Sequence, residues 1–141
     1  MCIRDRLPIG KSRIVRSGDD VTLIGIGTTT RTCLQSAESL AKQGYQAEVV
    51  DLLSISPLDE DTILSSISKT RKVVIVDEDY PKCSVASELA ALSAEKAFDL
   101  LDAPPRRVTA PHAPIPYASV IEQLHFPSVE MVTAACLEVI S

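Results

Sequence analysis

Short runs of β-branched and aliphatic residues alternate with segments of helical period along nearly the whole chain, and this alternation constrains the fold more than any single motif. VTLIGIG (21–27), AEVVDLL (47–53), the apolar part of RKVVIVDED (71–79) and RRVTA (106–110) have the length and branching of strands. Helical patterns lie between them. Over about 29–43, Cys33, Ala37, Leu40 and Ala41 share one face, and Gly44 is a natural terminator. Ser56, Pro57 and Asp59 resemble an N-cap, a proline at the first helical position and a capping-box acid, with Ile63, Leu64 and Ile67 as the inner stripe. A longer helix is predicted over 84–100, carrying Val85, Leu89 and Leu92 at helical spacing. The proline-rich PHAPIPY turn leads to a helix around 119–124, and a last helix over 128–140 turns Val132, Cys136 and Val139 inward. SRIVRSG adds a candidate edge strand.

Strands joined through helices imply right-handed crossovers and a mainly parallel sheet covered on both faces. The expected architecture is therefore one α/β domain, and 141 residues suffice for a core that needs no staples. A hydrophobic content of 45% with 23% charge is ordinary for a soluble globular chain. No apolar run approaches the roughly 20 residues that cross a bilayer, and the first residues lack the apolar core of a secretory signal. Four scattered cysteines, no CxxC pair and two histidines argue against zinc and for reduced thiols in a cytosolic protein. A net charge of −5 with 4% aromatics argues against nucleic acid, whose recognition relies on Lys, Arg and stacking rings. An acidic surface suits a basic protein partner instead.

Three stretches have the place of a site. Gly25 and Gly27 end a strand before a helix, and Asp51 ends the next strand, as in a dinucleotide fold. Thr30 stands where the third glycine of that fingerprint belongs, and Gly25 to Asp51 is longer than the usual ~20 residues, so nucleotide binding is disfavoured. Asp77, Glu78 and Asp79 lie at a strand's carboxyl end, yet neighbouring side chains of a strand diverge. Strand exit, with negative charge at the next helix N-terminus, is favoured over metal binding. Cys83 lies near a helix start but has only His112 as a conceivable base, and His112 and His125 read as loop or packing residues. No catalytic, cofactor or metal residue is predicted.

VTLIGIGTTTRTCLQSAESLAKQGYQAEVVDLLSISPLDEDTILSSISKTRKVVIVDED and AFDLLDAPPRRVTAPHAPIPYASVIE together resemble the C-terminal domain of the β-subunit of thiamine-diphosphate-dependent 2-oxo acid dehydrogenases of the pyruvate, branched-chain and acetoin types. The same domain closes transketolases and deoxyxylulose-phosphate synthase, and DLLSISPLD is shared across that wider group. LDAP, RVTAP and PIPY point to the dehydrogenase β-subunit. The resemblance implies a three-layer α/β/α sandwich whose five-stranded, mostly parallel sheet has one antiparallel edge strand. It implies that thiamine diphosphate and Mg are held by other domains, including an upstream pyrimidine-binding domain missing here, so the fragment itself is expected to be inactive and to bind no cofactor. MCIRDR does not continue the pattern: residues 1–6 are expected to be a non-native leader and residues 7–141 the domain.

The implied role is assembly and docking in a bacterial cytoplasmic complex that decarboxylates a 2-oxo acid oxidatively and passes the acyl group to lipoamide. The implied partners are an α-subunit, a second β-subunit and the subunit-binding domain of a lipoyl acyltransferase. Asp102 of LDAP and the carboxyl end at Ser141 carry over as contacts to that basic domain. Asp77, Glu78, His112 and Tyr117 are interface candidates. The alternatives are the same domain from a transketolase or deoxyxylulose-phosphate synthase, and a free-standing module that binds an anion or nucleotide at its sheet edge.

Overall fold

The apolar runs become the strands of one five-stranded sheet: β1 (Arg13–Arg16), β2 (Val21–Gly25), β3 (Ala47–Asp51), β4 (Val73–Val76) and β5 (Arg106–Val108). The computed structural model describes residues 7–141, so the leader expected at residues 1–6 lies outside the described residues. The strand order is β1-β3-β2-β4-β5. β3, β2, β4 and β5 are parallel, and β1 runs antiparallel to β3 at the edge. This is the mixed sheet expected above. Helices α1 (Thr29–Ala41), α2 (Glu60–Thr70), α3 (Val85–Lys96), α4 (Ser119–Glu122) and α5 (Val129–Ile140) complete the chain, with a 3₁₀ turn at Phe98–Leu100.

The period of two along a strand sorts the apolar residues into two cores. Val21, Leu23, Val49, Val74 and Val76 meet Cys33, Ala37 and Leu40 of α1 and Val132, Cys136 and Val139 of α5. On the opposite face Ile24, Val50, Val73 and Ile75 meet Ile63 and Ile67 of α2 and Ala86, Leu89 and Leu92 of α3. Burial on both faces explains why these strands read as unbroken apolar runs. Each Val, Leu or Ile among them contributes about 1.5–3 kcal/mol relative to exposure.

The second core ends in a polar layer. Thr22 Oγ1 shares hydrogen bonds with Ser66 Oγ (2.8 Å) and Thr70 Oγ1 (2.7 Å). The Ser66 hydroxyl donates to Glu48 Oε1 and Lys69 Nζ to Glu48 Oε2, both at 2.7 Å. Glu48 is buried in strand β3, and these two donors are what make its burial tolerable.

Strands β2, β3 and β5 each stop two residues short of the runs read as strands, at Gly25, Asp51 and Val108, and the helices α2, α3 and α4 also differ from the sequence expectation. α2 begins at Glu60 and not after Ser56. The Ser56–Pro57 peptide is cis, and 55–58 forms a turn. Asp59 accepts hydrogen bonds from Ser12 N–H (2.8 Å), Lys11 Nζ (3.1 Å) and Thr62 Oγ1 (2.8 Å), so its carboxylate clasps the incoming segment ahead of the helix. α3 stops at Lys96 and tightens into the 3₁₀ turn. The helix after the proline-rich turn is the four-residue α4.

Candidate functional site

From β2 the chain crosses to β3 on one side and then back past β2 to β4 on the other, so a crevice opens beyond the carboxyl ends of β2 and β4. It holds about 500 Å³ between Ile26, Gly27, Ile55, Asp77, Glu78 and Ile115. The acids in it do not converge. Asp77 is 4% exposed and accepts Asp79 N–H on one carboxylate oxygen (3.1 Å) and Ala86 N–H, in the first turn of α3, on the other (3.0 Å). Glu78 accepts the Thr28 hydroxyl at 2.6 Å. The Asp79 carboxylate accepts Tyr80 N–H at 2.7 Å. Strand exit and helix capping thus consume the cluster. Among the described residues no three His, Cys, Asp or Glu side chains are grouped to hold a metal.

The neighbouring glycine turn is closed on itself as well. A Cβ on Gly25 would stand 2.5 Å from Thr30 Cα, and Gly27 adopts a φ of +60°; packing and turning therefore account for both glycines. Thr29 Oγ1 accepts Ile26 N–H (2.8 Å) and donates to Val76 O (2.8 Å). The N–H groups of Thr29, Thr30 and Arg31 reach the carbonyls of Ile26, Gly27 and Thr28. Asp51 is occupied by Thr30 Oγ1 (3.0 Å) and Arg13 Nη2 (3.3 Å). Amides already paired and carboxylates at the rim make a poor cradle for a pyrophosphate. The described residues do not fit thiamine diphosphate and its Mg ion.

Among the described residues the thiols and imidazoles form no array. Cys83 is exposed with a φ of +55°. His112 is exposed and stands edge-on to Tyr80, ring centroids 5.2 Å apart. His125 is buried against Phe126 with its Nε2 unpaired. Cys33 and Cys136 lie in the first core, where burial pushes both thiols up, Cys136 to about 12. Neither is a nucleophile at neutral pH.

Asp102 belongs to a different surface. Arg71 closes α2 in the left-handed region (φ +60°), and its carbonyl accepts Asp102 N–H at 2.8 Å. Arg71 Nε and Nη2 grip the Asp102 carboxylate at 2.8–2.9 Å, holding it below the usual carboxylate range. The positive charge of Lys72 acts in the same direction, and Lys72 Nζ reaches the Ile140 carbonyl at 3.4 Å. Asp102 and the end of α5 before Ser141 are thereby brought around one lysine. Beside Asp102 an apolar groove of about 360 Å³ runs between Phe98, Leu101, Ala103, Pro104 and Pro105, with the Phe98 ring largely in solvent.

Sequence reasoning singled out Tyr117 but missed Arg71, Phe98 and the rest of the exposed apolar row, Ile115, Val120, Ile121 and Leu124. The last had one signal: apolar residues on a segment too rich in proline to bury them.

The family model for the transketolase C-terminal domain matches residues 10–132. The chain is 46% identical over 134 residues to the subunit beta of acetoin:2,6-dichlorophenolindophenol oxidoreductase from Bacillus subtilis (strain 168), covering 95% of this chain and 39% of that protein. It is 44% identical over 116 residues to the mitochondrial pyruvate dehydrogenase E1 component subunit beta of Dictyostelium discoideum, covering 82% and 33%. The chain thus spans under half the length of these curated relatives. Among solved structures, the split gene transketolase described as an inactive beta4 tetramer superimposes with a TM-score of 0.79 at 23% identity, over 99% of this chain and 44% of that one. Mixed sheet, two-sided core and family match agree: the chain belongs to the transketolase C-terminal domain family.

Proposed function

We propose that this domain is the assembly and docking part of the β-subunit of a thiamine-diphosphate-dependent 2-oxo acid dehydrogenase working in the bacterial cytoplasm. The observation that carries the reading is the row Ile115, Tyr117, Val120, Ile121 and Leu124, whose side chains stand in solvent on one segment. A patch of that kind marks a surface that another body covers. An α-subunit and a second β-subunit are the bodies that suit it, with Glu78, His112 and Tyr117 around the same end of the molecule. Asp77, buried under backbone donors, supports that surface from beneath. Chemistry on the 2-oxo acid belongs to other parts of the parent subunit, since the crevice residues here are committed to capping and turning. The same commitment, with carboxylates at the rim, counts against a nucleotide-binding module.

Docking of the lipoyl acyltransferase falls to Asp102, with the apolar groove beside it and Ser141 at the neighbouring helix end. A basic side chain of the acyltransferase shares the Asp102 carboxylate with Arg71, and Phe98 offers apolar contact. Calorimetric titration of the assembled α- and β-subunits with the subunit-binding domain tests this. Asp102→Lys is expected to weaken binding about tenfold or more, because a desolvated like charge replaces the acceptor. Unchanged affinity removes Asp102 from the docking surface.

A further inference from the structure

β5 closes one side of the sheet and pairs only with β4 among the described residues. In a parallel ladder the N–H and C=O of one residue turn the same way, and those of the next residue turn the other way. The Val108 carbonyl accepts Asp77 N–H at 3.0 Å, and Ala110 N–H reaches the Asp79 carbonyl at 3.1 Å, so Val108 and Ala110 face the sheet. Arg107 and Thr109 therefore present their backbone groups at the open edge.

A groove flanks that edge on each face. On the α3 side a polar cavity of about 290 Å³ lies between Pro81, Pro105, Arg107 and Thr109. On the α5 side one of about 330 Å³ is floored by Met131, Ala134 and Ala135. Arg107 Nη1 donates to Pro81 O and to Ser87 Oγ, both at 2.7 Å, and among the described residues no carboxylate neutralises it. Arg106, on the other face, is already paired with Glu138 at 2.6 Å. One guanidinium with only neutral acceptors thus stands in a polar groove beside free strand backbone.

The charges also say what does not fit. Of the arginines on the two open edges, Arg13 and Arg106 are paired with Asp51 and Glu138, whereas Arg16 on β1 and Arg107 on β5 form no ion pair among the described residues. Copies of this chain joined edge to edge would set like charges opposite one another. On a chain of net charge −5, that placement blocks self-pairing and leaves an acidic strand as the complement. We propose that the β5 edge docks an extended acidic segment of a partner protein as a sixth strand, with a carboxylate on Arg107 and an apolar side chain over Met131 and Ala134. This is independent of which parent complex the domain serves.

The probe is a blocked synthetic peptide of alternating Glu and Val, followed by fluorescence anisotropy and by hydrogen exchange of the 141-residue chain. Binding that falls with salt, with slowed exchange at the Arg107 and Thr109 amides, is expected. Arg107→Ala should weaken it about tenfold. Thr109→Pro should abolish it, because it deletes an outward donor and leaves the β4 ladder alone. Circular dichroism reports whether either variant folds, and a Glu–Val peptide methylated on its backbone nitrogens needs no variant and should not bind. Equal binding of that peptide or of a Lys–Val peptide, protection away from β5, or no binding at all overturns the proposal.

Discussion

The turn after β4 and the surface around Asp102 both carry carboxylates, and the two are satisfied in opposite ways. Asp77 is buried, and two backbone N–H groups fill its oxygens. Asp102 is half exposed and is held by the long side chain of Arg71. Backbone donors cannot leave without unfolding the turn, whereas a guanidinium at the surface can share or release its acceptor. A buried acid answered by backbone is thus architecture, and an exposed acid answered by a flexible cation remains open to a partner. Asp59, with Ser12 N–H, the Thr62 hydroxyl and Lys11 around it, belongs with Asp77.

The sharpest way to break this comparison is at Asp77. Asp77→Ala leaves the buried Ala86 N–H and the Asp79 N–H without acceptors and should cost about 3 kcal/mol in urea denaturation. Asp77→Asn keeps one acceptor and should recover part of that. A cost near zero would place Asp77 with Asp102.

Asp59 gives the next effect, and it is tied to pH. Burial alone would raise its pKa, but Ser12 N–H, the Thr62 hydroxyl and Lys11 outweigh burial and lower it from 3.8 to about 2. Between those values the unfolded chain binds a proton that the folded chain refuses, so unfolding is favoured as pH falls. The contribution, about 2 kcal/mol, is complete above the unfolded value and is lost as pH drops from about 4 towards 2. Asp59→Asn should therefore be less stable than the parent at neutral pH, with the gap closing across that window. A gap that persists at the acid end would show that shape, and not charge, holds the clasp.

Arg71→Ala should do least to the fold, since a solvent-exposed ion pair contributes little. A thermal melt should shift only slightly. A large drop would mean that the pair is a clasp like Asp59.

The order of strands and helices was legible because branching, a period of two and a period of 3.6 are local properties of a segment. The two-faced core followed, since Val21–Gly25 and Val73–Val76 have no polar face to show to water. The start of α2 was not legible: the groups that occupy Asp59 come from Lys11 and Ser12, 48 and 47 residues earlier. Thr22, Glu48, Ser66 and Thr70 likewise look like surface residues until tertiary packing brings them into one buried layer. Asp102 could be singled out through its motif, but Arg71, 31 residues away, could not.

By itself the amino-acid order determined the α/β alternation and a mainly parallel sheet covered on both faces. Those follow from periodicity and from side-chain directions within single elements. Only the tertiary structure decided what each charge is for. It sent Asp77 to two backbone donors, gave Asp59 a backbone N–H, a hydroxyl and a lysine, left Asp102 to a surface guanidinium and set Arg107 beside an open strand edge. The physical reason is that a carboxylate or a guanidinium is defined by what stands within about 3 Å of it, and those neighbours come from distant parts of the chain.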